Sequence, residues 1–165
     1  MSDSAGTSSF IMALFAAAVI FFGSPGAKCE NVNYKDCCSL IKVLSKPCPV
    51  KNFSLQINDC NYDKCLLNRS MPINITFTLT SNQNTSSAFL HAAISSWADV
   101  MMPFPWLDSN LCDRLSCPLI KDKSYSWTMK MMKPGFVNPG ERTLLLKSVG
   151  DKGTFFCANL SVTLE

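Results

Sequence analysis

The sequence predicts an all-β protein in the form of a sandwich of about seven antiparallel strands. Several segments alternate apolar and polar residues with a period of two, and clusters of turn-forming residues separate them. No long segment has the pattern of an amphipathic helix. Because there are no helices to cover a sheet, two sheets have to cover each other.

Four segments show the alternation most clearly, namely residues 52–57, 73–80, 125–131 and 156–164. Residues 86–98 have some helical propensity, yet they alternate equally well. Turns are predicted where glycine, proline or asparagine cluster, at residues 82–84, 134–135, 138–140 and 150–153.

An apolar run precedes these strands. Phe10 to Phe22 is 13 residues long, which is too short to span a bilayer comfortably and typical of the apolar region of a signal peptide. We therefore predict a signal peptide at residues 1–26, and hence a secreted protein, either extracellular or in the endolysosomal lumen. An uncleaved N-terminal anchor is the alternative.

All nine cysteines follow this segment, which indicates a disulfide framework formed in an oxidising compartment. The odd number leaves at least one thiol without an intramolecular partner. A metal site is not expected, because the sequence has one histidine and no Cys-x-x-Cys pair. No cofactor is expected either.

Five Asn-x-Ser/Thr sequons agree with export. Three of these asparagines fall on the polar parity of a predicted strand, where a glycan can project into water. We predict glycosylation at Asn52, Asn68, Asn74, Asn84 and Asn159.

Neither an enzyme nor a nucleic-acid-binding protein is predicted. The basic residues behind the net charge of +3 are scattered rather than clustered. His91 has no catalytic motif around it, and no Gly-x-Ser-x-Gly or phosphate-binding glycine run is present.

Three motifs resemble those of a known family. These are the loop from Cys60 to Cys65 followed by the strand from Pro72, the segment Pro103-Phe104-Pro105, and the segment from Cys117 to Tyr125. Together they are similar to the ML lipid-recognition family, which includes soluble Niemann–Pick type C sterol carriers and mite group-two allergens. The resemblance covers about residues 48 to 165.

The resemblance implies an immunoglobulin-like sandwich with an apolar cavity between its sheets. It also implies disulfides Cys60–Cys65 and Cys112–Cys117, and a bond from Cys157 to a cysteine near the first strand. Cys48 is preferred for that bond because of its spacing from Cys60, with Cys37 as the alternative. Residues 27–47 are then a cysteine-containing extension that precedes a lipid-binding domain at residues 48–165.

The implied function is to bind and transfer a sterol, a fatty acid or another apolar lipid. Phe104, held between two prolines, is predicted to lie at the mouth of the cavity. Met132 and Phe136 are expected to face it, and methionines nearby adapt to irregular ligands. The remaining candidate lipid-binding residues are Val100, Met102, Trp106 and Tyr125.

The alternative function is that of an accessory lipid-recognition protein for an innate immune receptor. The partners to be expected are accordingly a membrane sterol transporter or such a receptor, and the protein itself is predicted to be a monomer.

Overall fold

The computed structural model describes residues 31–38, 48, 50–81, 83–105, 107 and 109–165. The predicted signal peptide, Cys29 and Trp106 lie outside the described residues. Among those residues, no helix has the length and apolar character needed to cross a membrane.

The fold is all-β, as the alternation predicts. Its strands are β1 (Lys35–Asp36), β2 (Val50–Ile57), β3 (Leu66–Leu67), β4 (Ile73–Ser81), β5 (Ala88–Ser95), β6 (Met101–Pro103), β7 (Ser124–Met131), β8 (Gly140–Gly150) and β9 (Gly153–Leu164). A 3₁₀ helix, Leu111–Asp113, lies between β6 and β7. Residues 86–98 thus contain a strand rather than a helix.

Two sheets face each other. The large sheet has the strand order β1-β9-β8-β5-β6, with β3 also paired to β9, and the small sheet has the order β2-β4-β7. The number of strands exceeds the predicted seven because β1 and β3 contain only two residues each, too few to show an alternation. The pairing of β3 with β9 is parallel, whereas the other paired strands are antiparallel.

The predicted inward rows are buried. On β4 and β7 these rows are Ile73, Ile75, Phe77 and Leu79, and Tyr125, Trp127, Met129 and Met131. The centre of the sandwich is aromatic. Phe77 stacks on Trp127 with ring centroids 4.8 Å apart, and its ring lies 5.7 Å from that of Phe156 on the large sheet.

Residues 31–38 form a strap that ties one edge of the small sheet to the large sheet. The amide of Val32 donates to the Leu55 carbonyl of β2 (2.8 Å), and the Tyr34 hydroxyl donates to the Phe53 carbonyl (3.1 Å). Burial, and secondarily the charge of Asp36, raises the pKa of the Tyr34 hydroxyl, which therefore stays a donor at neutral pH.

The same strap is joined to the large sheet. Lys35 pairs with Asn159, and the next residues along this register bring Cys37 to Cys157, with which it forms a disulfide. The preferred pairing of Cys157 with Cys48 is therefore wrong, because spacing along the chain does not reveal that β1 adds to β9. The sandwich includes residues 31–38, which the sequence analysis assigns to an extension.

The other disulfides are local. Cys48 bonds to Cys38, and the pairs Cys60–Cys65 and Cys112–Cys117 are present as the resemblance implies. These four bonds use eight of the nine cysteines, and Cys29 is the remaining one.

The β8–β9 turn is held by one carboxylate. Asp151 accepts hydrogen bonds from the amide and hydroxyl of Ser86 (2.5 and 2.6 Å) and from the amide (3.0 Å) and hydroxyl of Ser87. These bonds, those from Ser86 foremost, hold the pKa of Asp151 well below its ordinary value. They fasten the segment before β5 to the turn.

We expect Asp151→Asn to lower the melting temperature at neutral pH. Because the folded pKa is lowered, the stabilising effect of the charge is present above the ordinary aspartate pKa of 3.8 and is lost as the pH falls through the folded value. Thermal melts of both proteins from pH 7 to pH 2 should therefore converge with decreasing pH. Asp63→Asn, which changes the net charge equally, is the control, and a constant difference across this range would contradict the expectation.

We expect the long-range disulfide to stabilise the fold more than the short one. The Cys37–Cys157 bond closes 120 residues and the Cys38–Cys48 bond closes 10. Loop-closure entropy predicts that replacing the first pair by alanines costs about 2 kcal/mol more than replacing the second. Urea denaturation of the two double variants measures this difference, and equal losses would show that the strap is not constrained by its bond.

Candidate functional site

The edge opposite the strap is closed by an aromatic contact. Phe104 follows β6, the last strand of the large sheet, and its amide donates to the Ala92 carbonyl (3.0 Å). Phe136 lies in the loop after β7, the corresponding edge strand of the small sheet. The two rings meet edge to face with centroids 5.5 Å apart. The structure thus brings together the two residues that the resemblance places at the mouth of the cavity, and the mouth itself stays a prediction.

The two phenylalanines differ in exposure. Phe104 is 5% exposed and belongs to the hydrophobic core, whereas Phe136 is 43% exposed. Prolines on both sides of Phe104 restrict its backbone. One ring is therefore fixed in the interior, and the other covers it from the solvent side.

Exposed apolar side chains surround this contact at one end of the sandwich. The turn after β5 and the loop after β7 lie at the same end, because β5 pairs with the beginning of β8 and the loop leads into β8. Met71, two residues before β4, joins them, since Ile73 pairs with Met131 at the end of β7. We call this set the rim; its members are Met71, Trp97, Val100, Met101, Met132 and Phe136.

The rim contains three of the predicted lipid-binding residues, Val100, Met132 and Phe136, whose role stays a prediction. It also contains residues that the sequence did not single out. Trp97 is one of these, and its side chain is largely exposed. Met71 carried no signal, because a single apolar residue in a turn does not differ in sequence from one that folds inward. Exposed apolar groups that cluster in this way commonly mark a binding surface.

Tyr125 and Met102 lie elsewhere than at the rim. Tyr125 is buried at the beginning of β7, and its hydroxyl accepts from the Ile120 amide (2.7 Å). Six residues separate it from Met131, so it lies roughly 20 Å along the strand from the rim. Met102 is half-buried opposite Ile94 and packs against the core. A role for either in binding lipid stays a prediction.

Arg69 fixes the loop that carries Phe136. Its Nε donates to the Val137 carbonyl (2.6 Å) and one Nη donates to the Gly135 carbonyl (3.0 Å). Its own amide donates to the Glu165 carbonyl at the end of β9 (2.9 Å). Nothing in the sequence marked this arginine, because both carbonyls belong to a loop 66 and 68 residues away.

The rim and the Phe104–Phe136 contact consist of apolar side chains, which can bury the apolar surface of a ligand. His91 lies exposed on the outward face of β5. Among the described residues, Asp36, Cys38 and Cys48 form the one group with ligand atoms close enough for a metal ion, but both sulfurs are joined in a disulfide. A metal would therefore find one carboxylate there, which is too few ligands for a structural site.

The sequon asparagines are placed differently. Asn52, Asn68, Asn74 and Asn84 are exposed, as glycosylation requires, and Asn159 is half-buried where β9 pairs with β1. Their occupancy stays a prediction.

Comparisons with known proteins agree with this architecture. A family model described as the ML domain matches residues 31–164. The chain is 26% identical over 159 residues to NPC intracellular cholesterol transporter 2 of Bos taurus, covering 93% of this chain and 99% of that protein. It is 31% identical over 138 residues to the protein of the same name in Canis lupus familiaris, covering 81% and 85%. The mite group 2 allergen Der f 2 of Dermatophagoides farinae is 26% identical over 153 residues, covering 89% of each.

Solved structures share the fold. A Niemann-Pick type C2 protein from the Japanese carpenter ant superimposes with a TM-score of 0.59 and 18% identity, covering 67% of this chain and 89% of that one. Chicken MD-1, solved in complex with lipid IVa, gives a TM-score of 0.51 and 12% identity, covering 81% and 95%. At these identities the likeness shows the fold alone. The family model and the curated relatives carry the assignment further: this chain belongs to the ML domain family.

Proposed function

We propose that this protein binds an apolar lipid between its two sheets and carries it through an extracellular or lumenal aqueous space. The observation that carries the proposal is the family match over residues 31–164, with relatives named as intracellular cholesterol transporters along most of the chain. A sterol is the first candidate ligand. Four disulfides support the localisation of the protein in an oxidising compartment.

The geometry supports entry at the Phe104–Phe136 contact. The strap ties the sheets together at the other edge by hydrogen bonds and a disulfide, whereas this edge is held by an apolar ring contact. An aromatic pair of this kind contributes about 0.5–1.5 kcal/mol beyond its buried area. Displacing Phe136 therefore opens a path between β6 and β7 at small cost.

The rim gives the ligand an apolar approach. A lipid that passes from the rim to the interior exchanges water for apolar surface, with a gain of about 25 cal/mol per Å². Methionines 71, 101 and 132 can adapt to a ligand of irregular shape because they are unbranched.

We expect Phe136→Asp to weaken lipid binding about ten-fold. Half-burial of a phenylalanine side chain corresponds to about 1.5 kcal/mol, which is roughly a factor of ten in affinity. Titration with a fluorescent sterol measures the effect. Phe136 is preferable to Phe104 for this test, because a carboxylate at the buried position would also unfold the protein.

Phe89→Asp is the matched control. Phe89 is also 43% exposed, but it lies on the outward face of β5, away from the gap. We expect it to bind the sterol as the unmodified protein does. If the two variants bind equally, the mouth lies elsewhere. If the unmodified protein takes up no sterol or fatty acid, and none is extracted with it from a secretory host, the proposed function is wrong.

We expect Arg69→Met to loosen the loop at residues 132–139. The substitution keeps the aliphatic stem and removes two charge-assisted hydrogen bonds to carbonyls, at a cost of about 1.5–3 kcal/mol in stability. Amide hydrogen exchange at residues 135–137 should become faster, as should the rate of sterol uptake. Lys133→Met, which removes one positive charge from the loop itself, should change neither rate. Unchanged exchange in Arg69→Met would contradict the role of Arg69 in fixing the loop.

A further inference from the structure

A groove lies along the edge of β9, between the two short strands that pair with that edge. β1 pairs with β9 at Ala158 and Asn159, and β3 pairs with it at Thr163 and Leu164. Among the residues that the structure describes, no segment pairs with Leu160–Val162 on this edge. We call the space that remains there the edge groove; it is lined by the strap, by residues 61–65 and by parts of β8 and β9. Its volume of about 390 Å³ is within the range of about 300–1,000 Å³ that small-molecule sites occupy.

The lining of the edge groove is polar, unlike that of the rim. Hydroxyl and amide groups come from Asn33 and Asn61, from Thr143 on β8, and from Asn159 and Ser161 on β9. These groups can donate to or accept from a ligand that carries hydroxyl groups, whereas they offer little to an apolar chain. The charged residues of the lining have both signs and are Lys35, Asp63 and Lys64.

The main chain of Ser161 adds a donor and an acceptor to the same edge. The Thr163 amide donates to the Cys65 carbonyl (2.8 Å), and the Cys157 carbonyl accepts from the Cys37 amide (3.3 Å). Alternate residues of a strand direct their N–H and C=O groups to the same side. Those of Ser161 therefore face the edge groove, where an unpaired strand edge can bind another peptide-like group.

Tyr62 supplies an aromatic ring to the edge groove, and it is 58% exposed. The loop that carries it is closed by the Cys60–Cys65 disulfide. Within that loop the Asn61 amide donates to the Lys64 carbonyl (2.8 Å), and Asn61 Oδ1 accepts from the amides of Asp63 (3.1 Å) and Lys64 (2.7 Å). The ring is therefore held in place at the solvent side of a polar groove. A sugar ring fits such a site, because it has an apolar C–H face to pack on the aromatic ring and hydroxyls around its edge.

One residue of the lining is itself a predicted site of glycan attachment. Asn159 and Ser161 belong to one sequon and lie on the outward row of β9. The other four sequon asparagines are exposed, whereas Asn159 is half-buried and lines the edge groove. Half-burial does not prevent attachment, because N-glycans are added to the extended chain during export. After folding, a glycan on Asn159 begins inside the groove.

We propose that the edge groove binds the first N-acetylglucosamine of a glycan attached to Asn159. One face of this sugar packs against the ring of Tyr62. Its acetamido group, which has the same donor and acceptor as a peptide group, pairs with the main chain of Ser161. The sugar is uncharged, so no charge is buried when it enters. The glycan thereby joins the strap to the loop Cys60–Cys65 beside Leu160–Val162.

The rate at which the glycan is released from the folded protein tests this site. Peptide N-glycosidase F cleaves between the asparagine and its first sugar and leaves an aspartate, which peptide mass spectrometry detects at each sequon separately. Cleavage at Asn159 requires the sugar to leave the groove, so the rate follows the population of the open form. We expect release from Asn159 to be about ten-fold slower than from the exposed sequons, the factor that a contact of about 1.4 kcal/mol supplies.

Tyr62→Ala should raise the rate of release at Asn159 to that of the exposed sequons, and Tyr62→Phe, which keeps the ring, should leave it slow. Phe89→Ala is the control, because it removes a half-exposed ring from the outward face of the same sheet without touching the groove. A slow rate that persists in Tyr62→Ala would show that Asn159 is protected by its own burial, and would overturn the proposal. So would equal rates at all sequons of the unmodified protein, or an Asn159 without glycan after secretion from a eukaryotic host.

The melting temperature supplies a second readout. Ser161→Ala abolishes the sequon but keeps Asn159, and we expect it to lower the melting temperature by about 4 °C. In the Tyr62→Ala background the same change should have no further effect, since the contact is already lost. Ser70→Ala, which removes the sequon of the exposed Asn68, is the control and should leave the melting temperature the same. If Ser161→Ala has the same effect with and without Tyr62, the proposal is wrong.

Discussion

The sandwich depends on a constraint that ties its two sheets together at one edge. The strap of residues 31–38 supplies it, since it pairs with β2 through Val32 and with β9 through β1. The Cys37–Cys157 bond makes this attachment covalent. Between the sheets, inward side chains pack against each other, with Phe77 and Phe156 at the centre.

This asymmetry supports the proposed function, which requires a stable domain that can admit a ligand at one edge. If both edges of the sandwich were tied, a ligand would have no route to the interior, because close-packed protein cores are hardly compressible. With one edge tied, the opposite edge can separate locally without loss of register in either sheet. At that edge the segments that follow β6 and β7 meet through the rings of Phe104 and Phe136.

The sequence predicted the long strands well because alternation is a direct consequence of burying one face. It missed β1 and β3, whose two residues cannot alternate and which exist only because β9 offers them a free edge. The predicted partner of Cys157 was wrong for the same reason. Cys48 was preferred on its spacing along the chain, which does not reveal that β1 pairs with β9. For the site, the resemblance placed Phe104 and Phe136 correctly relative to each other. It could not reveal Arg69, whose role depends on a loop far away in sequence, nor separate Tyr125 from the rim.

The segment around Phe104 has a further consequence for the behaviour of the protein in concentrated solution. β6 is the outermost strand of the large sheet, and an outermost strand offers its free amides and carbonyls to any other extended chain. Pro103 and Pro105 lack amide hydrogens, so this edge cannot provide a continuous ladder to a neighbouring molecule. The prolines that restrict the backbone of Phe104 thereby also protect the protein against edge-to-edge aggregation.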